Sequence, residues 1–179
     1  VRVAAIGVIG RLGDASSVPT LLSIAADSDP ELTQATTAAL AGLPGEKTNA
    51  ELAAQLSRVD GNALAVLIGV VGARRIDATD SLIKAATHTN PAIRHAALKA
   101  LGATVSPKEV SVLIGPSIST THPEDAKVAI KALREACVRM PDRDACAAEL
   151  AAAMPGASAP TQASLLEILG AMGGATTAR

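Results

Sequence analysis

Along this chain, apolar side chains return at three- and four-residue steps, in short blocks parted by Pro, Gly, Asp or Ser. The clearest block is 90–102, Asn-Pro-Ala-Ile-Arg-His-Ala-Ala-Leu-Lys-Ala-Leu-Gly. Asn90 suits an N-cap, and Pro91 suits the first helical position, where its missing N–H would have no intrahelical partner anyway. Ile93, Ala96, Ala97, Leu98, Ala100 and Leu101 fall at helical spacing, and Gly102 stands where a helix end could turn. The spacing predicts a helix over 90–102.

With Leu101 as anchor, the pattern returns at Ile9, Leu40, Val71, Leu133 and Leu169, at intervals of 31, 31, 30, 32 and 36 residues. A helix-start residue stands ten positions before the anchor: Pro30 after Asp29, Gly61 after Asp60, Pro123 after His122 and, one residue displaced, Pro160. A fixed period of this size predicts stacked repeats, each a helical hairpin that cannot bury its apolar face alone. Residues 1–13 read as the second helix of such a unit, with Ile6, Ile9 and Leu12 on one face and Gly13-Asp14 as its stop. Hairpins follow over 16–26 with 30–43, 49–57 with 61–73, 78–87 with 90–102, 107 onward with 123–139, and 142–154 with 160–172. Ser16 or Ser17 is expected to cap the first of these helices, with Leu21, Leu22, Ile24 and Ala25 buried. Pro116 is expected to end or kink its helix near Ile114, because it removes a hydrogen bond and crowds the preceding turn. Residues 173–179 have no apolar period and are expected to fray.

Asp29-Pro30 and Asn90-Pro91, Val1-Arg2 with Ala4-Ala5, Ile93-Arg94 with Ala96-Ala97, and Val18-Pro19 with Leu21-Leu22 together resemble the signature of HEAT-type (armadillo-like) repeats, and the resemblance covers essentially all 179 residues. Thr33 and Leu64 depart from it, standing where an arginine is expected. The resemblance implies an all-α, right-handed α-α superhelix of about five helical hairpins with half-repeats at both ends. It implies one repeat domain over 1–179, and a style of function: a non-catalytic scaffold that presents a concave groove to a protein or peptide partner. Val1 stands in place of Met, and Arg2 aligns with Arg94, which puts a helix start just upstream. The chain is therefore expected to be a piece of a longer multidomain protein, whose neighbouring repeats would cover its two ends.

Composition sharpens this picture. Hydrophobic residues make up 49% of the chain, yet Phe, Tyr and Trp are all absent. No large side chain can fill a central globular core, whereas thin layers of Ala, Leu, Ile and Val suit closely stacked helices. Lys and Arg number 16 against 17 Asp and Glu, a formal charge of −1, so no global field draws the chain toward nucleic acid or acidic lipid. No apolar run approaches the roughly 20 residues that span a bilayer, and the N-terminus lacks a signal-peptide pattern. Membrane insertion is not expected.

The usual chemical spacings are missing. His88, His95 and His122 are the three histidines, and none is followed by Glu. The His-Glu pairs of di-iron HEAT-like hydroxylases therefore have no counterpart, and no His-Glu-x-x-His metal signature is present. Gly7 and Gly10, and the glycines from Gly170 to Gly174, follow no strand and precede no Lys-Ser or Lys-Thr, so helix packing explains them better than phosphate binding. Stacking platforms for bases are absent with the aromatics. No catalytic residue, cofactor or metal is expected. A polyanion or nucleic-acid cradle on a local basic stripe, or the accessory region of a larger enzyme, stands as the alternative to the scaffold reading.

Two features are candidates for function. On the helix that resembles 90–102, the positions six before, two before and two after the anchor form one i, i+4 row facing away from the apolar stripe, and in HEAT-like solenoids this helix lines the inner side. Along that row the third such helix offers Ala65, Gly69 and Ala73, while the next two bring His95, Lys99, Lys127 and Lys131, a cluster suited to an acidic partner segment. The other feature is Cys137 and Cys146, at facing ends of a predicted hairpin turned by Pro141. A disulfide between them and a pair of buried thiols are equally compatible with the spacing. A bridge would point to an exported or periplasmic parent, free thiols to the cytoplasm.

Overall fold

A computed structural model of the chain describes residues 1–27, 29–118 and 122–173, apart from the side chains of Lys108 and Ile118. Among them are eleven α-helices and no strand: α1 Arg2–Leu12, α2 Val18–Ala25, α3 Pro30–Gly42, α4 Glu46–Gln55, α5 Gly61–Ala73, α6 Thr79–Ala85, α7 Pro91–Thr104, α8 Ser111–Ile118, α9 Ala126–Arg139, α10 Arg143–Ala153 and α11 Ala159–Met172. Among the described residues α2 packs against α3, α4 against α5, α8 against α9 and α10 against α11, so the fold is all-α as the repeat pattern predicts. The chain forms two compact units, Val1–Ala100 and Leu101–Arg179, with the boundary inside α7.

In the first unit, α3 packs against α1 and α5 in one layer, while α2 and α4 cover α3 and α5 from the other. In the second, α9 and α11 form one layer and α8 and α10 the other. The anchors explain the layering. Leu40, Val71, Leu101 and Leu133 are all fully buried, each contributing about 1.5–3 kcal/mol of transfer free energy.

The layers can lie close because small residues meet. A Cβ added to Gly10 would fall 2.7 Å from the Cα of Ala39, one on Gly72 would fall 2.9 Å from the Cα of Ala100, and one on Gly102 would fall 2.9 Å from the Cα of Ala132. Each glycine directly follows an anchor, and each alanine directly precedes the next repeat's anchor. Polar ties reinforce the spacing. Arg74 Nη1 donates to the carbonyls of Ala41 and Leu43 at 2.7 Å, satisfying the C-terminal end of α3. In the second unit Arg139 donates to Val105 O at 2.9 Å and Arg143 to Met172 O at 2.6 Å.

Several local expectations change. Gly102 does not end its helix; α7 runs on to Thr104, and the glycine serves close packing instead. Asp14, not Ser16 or Ser17, caps the start before α2, accepting from the Ser16 N–H at 2.8 Å and holding a 3-10 turn over Ala15–Ser17. Leu12 is 83% exposed because α1 ends there. Ile24 is half-buried, lining a cavity of about 400 Å³ with Arg2, Ile9 and Leu32. Pro116 lies inside α8, which continues to Ile118. So near the helix end the proline removes a single backbone bond, and the Ser117 hydroxyl donates to Leu113 O at 2.8 Å on the adjoining turn. Gly173 closes α11 in the left-handed conformation, and residues 174–179, expected to fray, lie outside the described residues.

Candidate functional site

Within each unit the row on the second helices is open. Val3, Gly7 and Arg11 on α1, Gln34, Ala38 and Gly42 on α3, and Gly69 and Ala73 on α5 are exposed, with Ala65 half-buried. On α7, Lys99 is exposed and His95 half-buried; on α9, Lys127, Lys131 and Glu135 are exposed; on α11, Ala163, Glu167 and Ala171 are exposed. On α3, α5, α7 and α9 the opposite stripe carries the buried anchors Leu40, Val71, Leu101 and Leu133, while the anchors of the two end helices, Ile9 on α1 and Leu169 on α11, are half-buried. Helical periodicity alone produces this division, since positions four apart share a face.

His95 and Lys99 belong to the first unit and stand one turn apart on α7; Lys127 and Lys131 belong to the second and stand one turn apart on α9. The three ammonium groups make no hydrogen bond or ion pair among the described residues. On α9 the row runs Lys127, Lys131, Glu135, so positive charge is concentrated toward the N-terminal half of that helix. Lysines there gain nothing from the helix dipole, which favours acids at that end.

Cys137 and Cys146 are both fully buried and both free thiols. Cys137 lies in the last turns of α9 and Cys146 in the first turn of α10, across the turn at Met140–Asp142 that Asp142 closes by accepting from the Ala145 N–H at 3.0 Å. The hydrogen bond to Cys146, together with burial, pushes the Cys137 thiol well above the usual thiol range, while the same bond lowers Cys146. Of the two, Cys146 is therefore the readier thiolate.

One cluster escapes the motif-based reading. His122, Glu124 and Asp125 each bring a ligand-type atom within 4.8 Å of the others, and His122 Nδ1 lies 3.5 Å from Glu124 Oε1. Its acids occupy the 3-10 turn Pro123–Asp125 that opens α9, where carboxylates are favoured by the helix dipole, so helix initiation accounts for the arrangement. The His-x-Glu-Asp order matches no familiar metal signature.

Residues 49–134 match the family model for HEAT repeats. No curated protein matches the sequence. Among solved structures, the fold is similar to a chain in the complex of CpcE and CpcF of phycocyanin lyase from Nostoc sp., with a TM-score of 0.66 and 23% identity, over 87% of this chain and 99% of that one.

Proposed function

We propose that this chain, a HEAT-repeat helical solenoid, works as a non-catalytic scaffold that presents the open row of its second helices to a protein partner. The observation that carries the reading is the division of α3, α5, α7 and α9 into a buried anchor stripe and a row that is nowhere buried. A surface of small residues such as Ala65, Gly69 and Ala73 lets a partner's backbone approach closely. Lys99 in the first unit, beside His95, and Lys127 and Lys131 in the second supply cations for an acidic partner segment, and the three lysines make no ion pair among the described residues, which keeps them available. The formal charge of −1 favours a local protein contact over a nucleic-acid cradle, which depends on many phosphate contacts.

Repeat proteins of this kind are protein-interaction scaffolds, and the similar Nostoc sp. structure is itself a complex of two proteins of a lyase. That similarity favours a second reading, in which the chain is an accessory region of a larger enzyme and holds a partner or substrate protein without catalysing.

The test is capture of partners from the source cell by the wild-type chain and by Lys99→Gln/Lys127→Gln/Lys131→Gln. A partner held by the wild type and lost from the variant, with helicity unchanged, supports the row as the binding surface. The same partners at the same salt with both proteins would put recognition elsewhere. Retention of nucleic acid that falls steeply with salt would favour the cradle instead.

A further inference from the structure

The position seven residues before the anchor has one job in two of the hairpins. In α7 it is Arg94, 1% exposed, whose Nη1 donates to the carbonyls of His88 and Thr89 at 3.1 and 3.0 Å. In α11 it is Gln162, whose Nε2 donates to Met154 O and Ala157 O at 3.0 and 3.1 Å. Each polar side chain reaches back and closes the turn of its own hairpin. In α5 the position is Leu64, which has no polar atom to reach with. A cavity of about 360 Å³ lies there, between Leu64, the turn residues 56–60, and Ser81, Lys84, Ala85 and His88 of the next hairpin, all within the first unit.

The lining has a defined chemistry. Leu56, Leu64 and Ala85 are each 8% exposed and make an apolar floor. Arg58 and Lys84 are exposed at its rim and make no side-chain hydrogen bond or ion pair among the described residues. Asp60, the single carboxylate on the lining, is engaged elsewhere: its Oδ1 accepts from the Gly61 N–H at 2.7 Å, capping α5, and lies 3.4 Å from His88 Nε2. His88 Nδ1 in turn accepts from the Asn90 N–H at 3.0 Å, which leaves the ring proton on Nε2, facing Asp60. Two cations therefore meet one committed carboxylate, an excess of one positive charge.

We infer that this cavity is a binding pocket for a monocarboxylate with a short apolar body. The carboxylate sits between Arg58 and Lys84, and the apolar part lies on Leu56, Leu64 and Ala85. A guanidinium can take a carboxylate through two parallel hydrogen bonds, and the volume lies within the range of ligand cavities. The ligand is a free small acid, or an acidic side chain beside an apolar one on a partner. The pocket uses none of the row lysines and stands independently of the scaffold reading.

The experiment is an amide-resolved NMR titration of the intact chain with hexanoate, with hexanol and inorganic phosphate as controls. Saturable shifts confined to 56–60 and 81–88 are expected with hexanoate, with both controls at least about tenfold weaker. Arg58→Gln/Lys84→Gln, at two exposed positions, should weaken hexanoate by about tenfold or more. Leu64→Arg supplies the side chain that closes the turn in α7 and should abolish binding; should it fail to fold, the rim variant decides alone. Tighter binding of an acetyl-Leu-Glu-Leu-amide peptide, whose one carboxylate is the Glu side chain, than of hexanoate identifies a partner-borne group, and the reverse order identifies a free acid. Hexanoate shifts that are absent, scattered over the chain, or unchanged in the rim variant would overturn the pocket.

Discussion

Gly69 and Gly72 stand three residues apart on α5 and meet opposite conditions. A Cβ at Gly72 would lie 2.9 Å from both Cα and Cβ of Ala100, whereas a Cβ at Gly69 would meet nothing within 4 Å. The pair Gly7 and Gly10 on α1 repeats the contrast, Gly7 in open space and Gly10 tight against Ala39. The same residue type thus does two jobs on one helix. On the closed side it sets how near the next repeat can stack, and on the open side it leaves a smooth surface. The composition, rich in small residues and devoid of aromatics, serves both.

The contrast can be broken or sharpened experimentally, beginning with the largest change. The closed interior of the second unit holds Cys137 and Cys146 side by side. Diamide takes up two electrons and two protons from the pair and should join the sulfurs. Closing so short a loop is worth about 2.5–3 kcal/mol in the chain-entropy model. Thiol counting on denatured protein should fall from two to none, with a higher Tm. Two thiols remaining after treatment of the native protein would show that the pair does not meet.

Next come the closed glycines. Gly72→Ala and Gly102→Ala should each destabilise by about 1–3 kcal/mol, even though Ala is the better helix former by about 1 kcal/mol, because the new methyl group must push two backbones apart. Smaller and opposite in sign, Gly7→Ala and Gly69→Ala should stabilise by about 0.5–1 kcal/mol. Chemical denaturation measures both pairs, and equal effects on the two sides would erase the distinction. Smallest of all, Lys99→Gln/Lys127→Gln/Lys131→Gln should move stability by no more than about 0.5 kcal/mol, since exposed charges without partners hold nothing together.

The sequence carried the repeat well. The anchors Leu40, Val71, Leu101 and Leu133 and the helix starts at Pro30, Gly61 and Pro91 follow from periodicity and capping chemistry, which act locally. The open row was legible for the same reason. Gly102 was misplaced because a glycine late in a helix reads as a stop, and nothing in one chain's pattern gives the distance to the next helix. Ser16 and Ser17 lost to Asp14 because a 3-10 turn shifted the start by a few residues. The cavity at Leu64 was half visible: the departure from arginine could be read, but not that Asp60 and His88 would occupy each other and leave Arg58 and Lys84 free.

The contact between Gly72 and Ala100, both in the first unit, gives the most direct test that small-residue contacts on the closed side set the stacking. The measurement is a double-mutant cycle in urea with Gly72→Ala, Ala100→Gly and the two combined. Removing the Ala100 methyl relieves one of the two close contacts and leaves the one to the Ala100 Cα, so the combined variant should recover part of what Gly72→Ala loses and be more stable than the sum of the singles by about 1 kcal/mol. Additivity within about 0.5 kcal/mol would contradict the account.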